Sequence, residues 1–255
     1  MSERRRARLL GCAAGVLSLV LLSGCTPPGG PDAPADRPQT TAEAYPKLAG
    51  QVEDAQAHPG GANGSKQAEM AATALEVLDS IPVAERTEWD GPFDRAASFG
   101  DGWADLDGDG CNTRNETLEA QLEQVQLLRD NCRVDTGVLE DPYTGETVTF
   151  QRGKHSSERV QIDHVVALYN AWRTGAQDLS YDQRVALAND PLNLQATQDW
   201  VNDEKMSSDA SQWLPPDETY HCTYVSRQIA VKATYHLWVT EAEDAAMREV
   251  LAGCR

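Results

Sequence analysis

Positive charge is scarce in this sequence: 22 Lys and Arg stand against 40 Asp and Glu, a formal net charge of −18 over 255 residues. Nonspecific nucleic-acid binding usually leaves a basic footprint, so that mode of binding is disfavoured. Long apolar runs are scarce too. The run from Leu9 to Leu22 is shorter than the roughly 20 residues of an ordinary membrane-spanning helix. Neither CxxC nor HxxxH spacing occurs, which removes the usual signature of a zinc site. No internal repeat is visible.

What is present begins with a leader. Arg4, Arg5, Arg6 and Arg8 precede the apolar run, the order found in a secretory signal peptide, read here over 1–24. Its end, Leu22-Ser23-Gly24-Cys25, resembles the lipobox of bacterial lipoproteins. That resemblance implies cleavage before Cys25 and lipid on its thiol; a plain signal peptide is the alternative. A single lipid chain anchors marginally and two anchor stably. The expected location is therefore the outer face of the membrane, as a lipoprotein, or the medium, as a secreted protein. Residues 25–65 are rich in Pro, Gly, Ala and small polar residues, with a second breaker cluster from His58 to Ser65. Such a stretch reads as a disordered linker. The folded domain is expected over 66–255, long enough for one real core.

Four cysteines fall in that domain: Cys111, Cys132, Cys222 and Cys254. An even set in an exported protein favours disulfides. The pairs Cys111–Cys132 and Cys222–Cys254 are preferred, because each brackets a helical stretch able to fold back on itself.

Hydrophobic periodicity gives a coarse map. Met70, Ala74, Leu75, Val77 and Leu78 recur near helical spacing, and Pro82 ends the stretch. In ETLEAQLEQVQLLRDN, Leu118, Leu122, Val125 and Leu128 share one face, which predicts a helix throughout. GVLEDPYTGETVTFQRG reads as a hairpin turning at Pro142 to Gly145. VQIDHVVAL reads as a strand running into a helix, SYDQRVALAND as a short helix, LNLQAT as a strand and DWVNDEKMS as a helix. Two helices close the chain, the last capped by Thr240. The predicted class is α+β.

The chemistry gathers in the middle of the chain. Asp163 and His164 end one strand and Asn193 lies with the next, while Asn202 and Lys205, three apart, share a helix face. Around them run GCNTRNETL, DPYTGETVTFQRG, VQIDHVVAL, LANDPLNLQAT and WLPPDETYHCTYVSRQIAVKATYHLWVT. In this order, over about 99–254, the blocks resemble the HNH endonucleases of the ββα-metal superfamily. They are most similar to the GmrSD-type HNH domain of many secreted bacterial proteins. The resemblance implies a ββα-metal (HNH) finger in a mostly helical, disulfide-stapled domain. It also implies a metal-dependent endonuclease acting on DNA, or on RNA, with DNA favoured. The last position is Asn202 rather than histidine, which argues against a zinc-type site.

Phosphodiester hydrolysis needs an activated water, a base and positive charge near the phosphate. His164 is the candidate base, since a neutral imidazole is available near pH 7. Asp163 is the expected metal ligand, and the family match makes Asn202 the second. Oxygen donors suit Mg²⁺ or Mn²⁺. By the same resemblance Asn193 orients the histidine and Lys205 lies beside the phosphate as a point charge. Arg114, Arg152, Lys154 and Arg159 are candidate phosphate contacts. Neighbours on a strand face opposite ways, so Asp163 and His164 are not expected to bond each other.

Structural readings stand beside these: His164 as a satisfied core histidine, Asp163 as a helix cap, Asn193 as a turn residue, Asn202 and Lys205 as a solvated helix face. Separately, Asp105, Asp107, Asp109, Gly110 and Glu116 keep the register of a calcium loop, so structural Ca²⁺ is a further expectation. A non-catalytic surface lipoprotein that keeps the fold and binds calcium or a partner is the alternative to an enzyme.

Overall fold

The computed structural model describes residues 38–57, 64–89, 91–154 and 156–255. The expected leader, Cys25 and the linker as far as residue 37 lie outside the described residues. Among those described, no helix is long and apolar enough to cross a membrane.

The expected linker is too long at its C-terminal end. Thr41–Ala44 (α1) and Pro46–Ala57 (α2) are helical, and Leu48, Ala49 and Val52 of α2 are buried. Asp190 fixes the start of α1 by accepting from the Thr41 amide at 2.7 Å and its hydroxyl at 2.8 Å. Alanine counted towards a linker by composition, but it is also the best helix former, and α2 has a face to bury. One compact unit runs from Pro38 to Arg255.

Gly64–Leu78 (α3) buries Met70, Ala74 and Leu78. Arg95–Phe99 (α4) is capped by Asp94, which accepts from the Ala97 amide at 3.0 Å. Thr113–Gln121 (α5) ends where the apolar period suggested continuation, and Glu123–Leu127 (β1) is a strand. Leu118 and Leu122 still enter a common core. The backbone of β1, however, pairs with Val134–Asp141 (β2), and that pairing overrides the helical period. Glu146–Gln151 (β3) completes an antiparallel sheet in the order β1-β2-β3, with Leu139 opposite Val148 as the hairpin reading requires.

Val160–His164 (β4) is followed by two helices, Leu168–Arg173 (α6) and Tyr181–Asn189 (α7). Leu194–Gln198 (β5) returns antiparallel to β4, setting Gln195 opposite Asp163 and Leu194 opposite His164. Asp199–Lys205 (α8) continues from β5 without a break. His221–Thr234 (α9) is buried over most of its length, and Glu241–Gly253 (α10) starts at Thr240, which accepts from the Glu243 amide. Both expected disulfides are formed, Cys111–Cys132 and Cys222–Cys254. The class is α+β.

Apolar burial divides into two clusters. Val160 and Ile162 join Leu118, Leu139, Phe150 and Leu194 on the sheet side, while Val165 and Val166 join the cluster built on α2, α3 and α9. Asp163 and His164 therefore occupy the seam, where neither cluster alone dictates their surroundings.

Candidate functional site

The end of β4 faces two environments. Asp163 and His164 are both buried, at 5% and 6% exposure, yet they point to opposite faces, as strand neighbours must. On one face Asp163 accepts from Lys205 Nζ at 2.9 Å and from the Tyr143 hydroxyl at 2.7 Å. Lys205, wholly buried at the end of α8, also donates to the His164 carbonyl at 2.8 Å. Buried charges are tolerated when paired and hydrogen-bonded, and both of these are. The β2–β3 turn delivers Tyr143. Asp141 anchors that turn by accepting from the Thr197 hydroxyl at 2.9 Å and the Gln198 and Tyr143 amides at 3.0 Å. Burial, and then Asp163, hold the Tyr143 hydroxyl well above its ordinary pKa, so it remains a donor.

On the other face His164 Nε2 lies 2.8 Å from the Ala188 carbonyl. A carbonyl only accepts, so Nε2 carries the hydrogen and Nδ1 keeps the lone pair. Among the described residues nothing hydrogen-bonds to Nδ1. Burial lowers the imidazole pKa to about 3, and the charges of Arg95 and Lys205 act in the same direction against the Ala188 bond. The ring is neutral above that value. Trp103 lies parallel to it, with centroids 5.6 Å apart and planes at 2°. Both rings line a cavity of about 350 Å³ together with Arg95, Asp101, Leu168 and Ala188. The chain between α4 and Trp103 turns at Gly100 and Gly102, with φ of +96° and +94°, a region that side chains disfavour.

Asn193 is fully buried and makes no hydrogen bond to the ring. Its Oδ1 accepts from the Val166 amide at 2.8 Å, its carbonyl accepts from the Val165 amide at 2.9 Å, and its Nδ2 donates to the Leu187 carbonyl at 3.0 Å. It clips the residues after His164 to the residue before Ala188, whose carbonyl holds the imidazole. Any hold on the ring runs through backbone.

Two expectations need correction. Lys205 does not stand ready for a phosphate, because its ammonium is sealed against Asp163 and the His164 carbonyl. Asp163 and Asn202 do not form a pair ready for Mg²⁺ or Mn²⁺ either. Asn202 Nδ2 donates to Gln161 Oε1 at 2.6 Å, and Lys205 occupies the place a cation on Asp163 would take. As arranged, these donors do not fit a divalent ion. A carboxylate group of the kind that holds metal occurs elsewhere: ligand atoms of Asp105, Asp107 and Asp109, all exposed, lie within 4.8 Å of one another. Asp105 accepts from the Gly108 and Gly110 amides at 2.8 and 2.9 Å. Partial burial, then Asp107, Asp109 and Asp105, raise the Glu116 carboxyl above its usual pKa.

The expected phosphate contacts lie away from the imidazole. Arg114 Nη2 is 3.4 Å from the Val160 carbonyl, and Arg152 bonds the Val134 carbonyl at 2.5 Å and Asn115 Oδ1 at 2.6 Å. Both brace the fold. Lys154 and Arg159 are exposed, but Arg159 precedes β4 and His164 ends it, roughly 16 Å apart along a strand. None of the four lines the His164 cavity. Sequence reasoning missed Tyr143, Trp103, Arg95 and the Ala188 carbonyl. Tyr143 stood within a quoted block, but nothing in that hairpin signalled a bond to Asp163.

Fold and site together define a disulfide-stapled α+β protein carrying a sealed acid–lysine pair and a neutral imidazole back to back at a strand end. The chain belongs to the family described as GmrSD restriction endonucleases, C-terminal domain, which it matches over residues 112–250. It is also 36% identical over 186 residues to an uncharacterized secreted protein of Arthroderma benhamiae, covering 72% of this chain and 86% of that one. No solved structure matches.

Proposed function

We propose that this protein is an HNH-type endonuclease that hydrolyses phosphodiester bonds of DNA, or of RNA, with His164 as general base. The observation that carries the reading is the state of the imidazole: neutral, its tautomer fixed by the Ala188 carbonyl, its Nδ1 lone pair unused, in a ring that lines a cavity. Two antiparallel strands leading directly into a helix, β4, β5 and α8, support a ββα finger. Membership of a restriction-endonuclease domain family supports the nuclease class.

In this reading Nδ1 takes a proton from a water as that water's oxygen attacks phosphorus. The bond from phosphorus to the leaving oxygen breaks, and the leaving oxygen is protonated from solvent. Nε2–H goes on donating to Ala188 while the ring holds its extra proton, so the carbonyl stabilises the imidazolium. Trp103 restrains the ring plane, and Asn193 and Lys205 restrain the backbone on either side. A positioned base is worth about 10²–10⁴ in rate when its pKa lies near the working pH, so in this reading the bound anionic phosphodiester raises the imidazole from about 3 towards that range.

The test incubates purified protein with supercoiled plasmid, and separately with RNA, in Mg²⁺, in Mn²⁺ and in EDTA. Wild type is expected to nick plasmid, and His164→Ala to lose about 10²–10⁴ of the rate at an unchanged melting temperature. Plasmid left equally intact by both proteins in every condition would overturn the reading. The EDTA arm reports whether cutting requires a divalent ion.

Export through the leader, with lipid on Cys25, belongs to the same proposal, and the secreted relative supports export. Incorporation of labelled palmitate that persists in Cys25→Ala would sink the lipid assignment. The acidic loop favours one second reading, a structural Ca²⁺ held by Asp105, Asp107, Asp109 and Glu116. Calcium should then raise the melting temperature of wild type but not of Asp105→Asn.

A further inference from the structure

Cations are few in this chain, and most of the arginines among the described residues are already engaged. Arg86 pairs with Asp209, Arg152 and Arg184 bond backbone carbonyls, Arg227 is buried and donates to five oxygens around β5, and Arg248 bridges Asp79 and Asp244. Arg95 differs. It is exposed at the first position of α4, and among the described residues it makes no hydrogen bond or ion pair. Yet it lines the same cavity as His164, close enough for its charge to act on both His164 and Asp163.

We infer that the cavity beside His164 is the binding site of the scissile phosphodiester and that Arg95 is the residue that binds it. The inference rests on the nuclease reading and deepens it by naming the substrate-binding group. Three observations converge. The cavity, about 350 Å³, falls in the range of roughly 300–1,000 Å³ in which proteins hold small ligands. Its titratable wall consists of one neutral imidazole, one free guanidinium and the exposed Asp101 carboxylate, so Arg95 is its only cation. A planar guanidinium presents paired N–H donors that match two phosphate oxygens. The other cation near the strand end, Lys205, is sealed on the opposite face. An anion entering the cavity thus meets Arg95 and no competing ammonium. Arg95 and Trp103 both precede the stretch matched to the family, 112–250, so the proposed substrate clamp comes from outside that domain.

The experiment uses the leaderless protein labelled with ¹⁵N in histidine, the His164 signals being identified by their loss in His164→Gln. Inorganic phosphate is the probe, and plasmid cutting is measured on the same preparations. Phosphate is expected to move the His164 ring signals in wild type. Arg95→Ala should abolish that movement and lower kcat/KM on plasmid at least tenfold without changing the melting temperature, and Arg95→Lys should restore part of both. If Arg95→Ala keeps the phosphate response and the cutting rate of wild type, the inference falls while the nuclease reading stands. If the response depends on Arg95 but wild type cuts no nucleic acid, the anion site stands and the nuclease reading falls. If phosphate leaves the His164 signals of wild type unmoved, the cavity is not the phosphate site.

Discussion

Asp163 and His164 are adjacent, nearly equally buried and opposite in condition. Both carboxylate oxygens of Asp163 are engaged, one by an ammonium and one by a phenol. His164 spends one nitrogen on a carbonyl and keeps the other unengaged, in a ring that lines a cavity. Burial alone therefore separates nothing here. What distinguishes the two is that every polar atom of the Asp163 side chain is engaged, whereas Nδ1 of His164 is not. The two faces also depend on each other, because Lys205 neutralises Asp163 and clamps the carbonyl of His164.

The comparison breaks most visibly at the sealed face. Lys205→Met leaves Asp163 buried without its counter-charge, which should cost about 3–5 kcal/mol in urea denaturation. Adding Asp163→Asn to it should recover a large part, since the uncompensated charge is then gone. A single variant as stable as wild type would mean that the face is open to water. Asn193→Ala acts on both faces at once by stranding the buried Val166 amide. It should cost about 1–3 kcal/mol and slow cutting, while leaving the shape of the pH–rate profile as it was. A changed profile would show that Asn193 tunes the imidazole directly.

The last effect sharpens the open face. The His164 imidazole takes its proton near pH 6.5 when unfolded and only near 3 when folded. A depressed folded value gives stability that is full above the unfolded value and is lost as pH falls towards the folded one. Between pH 7 and 5 this group should remove about 2 kcal/mol, seen as a steeper loss of stability in wild type than in His164→Gln. The acid limb of kcat/KM, which reports the free enzyme, should lie below pH 5. A limb near 6.5 would place the imidazole in water.

Much of the fold was legible locally. The hairpin from Val134 to Gln151 follows from alternation around a Pro–Gly turn, and Thr240 caps α10 as its residue type suggests. Both preferred cysteine pairs are formed, although the stretch between Cys111 and Cys132 is part helix and part strand. Two stretches misled. Alanine-rich α2 looked like linker because composition carries no information about a distant face to pack on. The Leu118–Leu128 run kept a helical period although its second half is a strand, because β2 offered its backbone a better partner.

By itself the sequence determined which groups stand at the end of β4 and that strand alternation turns Asp163 and His164 apart. Only the tertiary structure decided what each one meets. Tyr143, Ala188, Trp103 and Arg95 come from distant parts of the chain, and hydrogen bonding and charge act through space rather than along sequence. That is why the residue expected to hold a cation is bound to an ammonium, while the imidazole beside it keeps a lone pair to use.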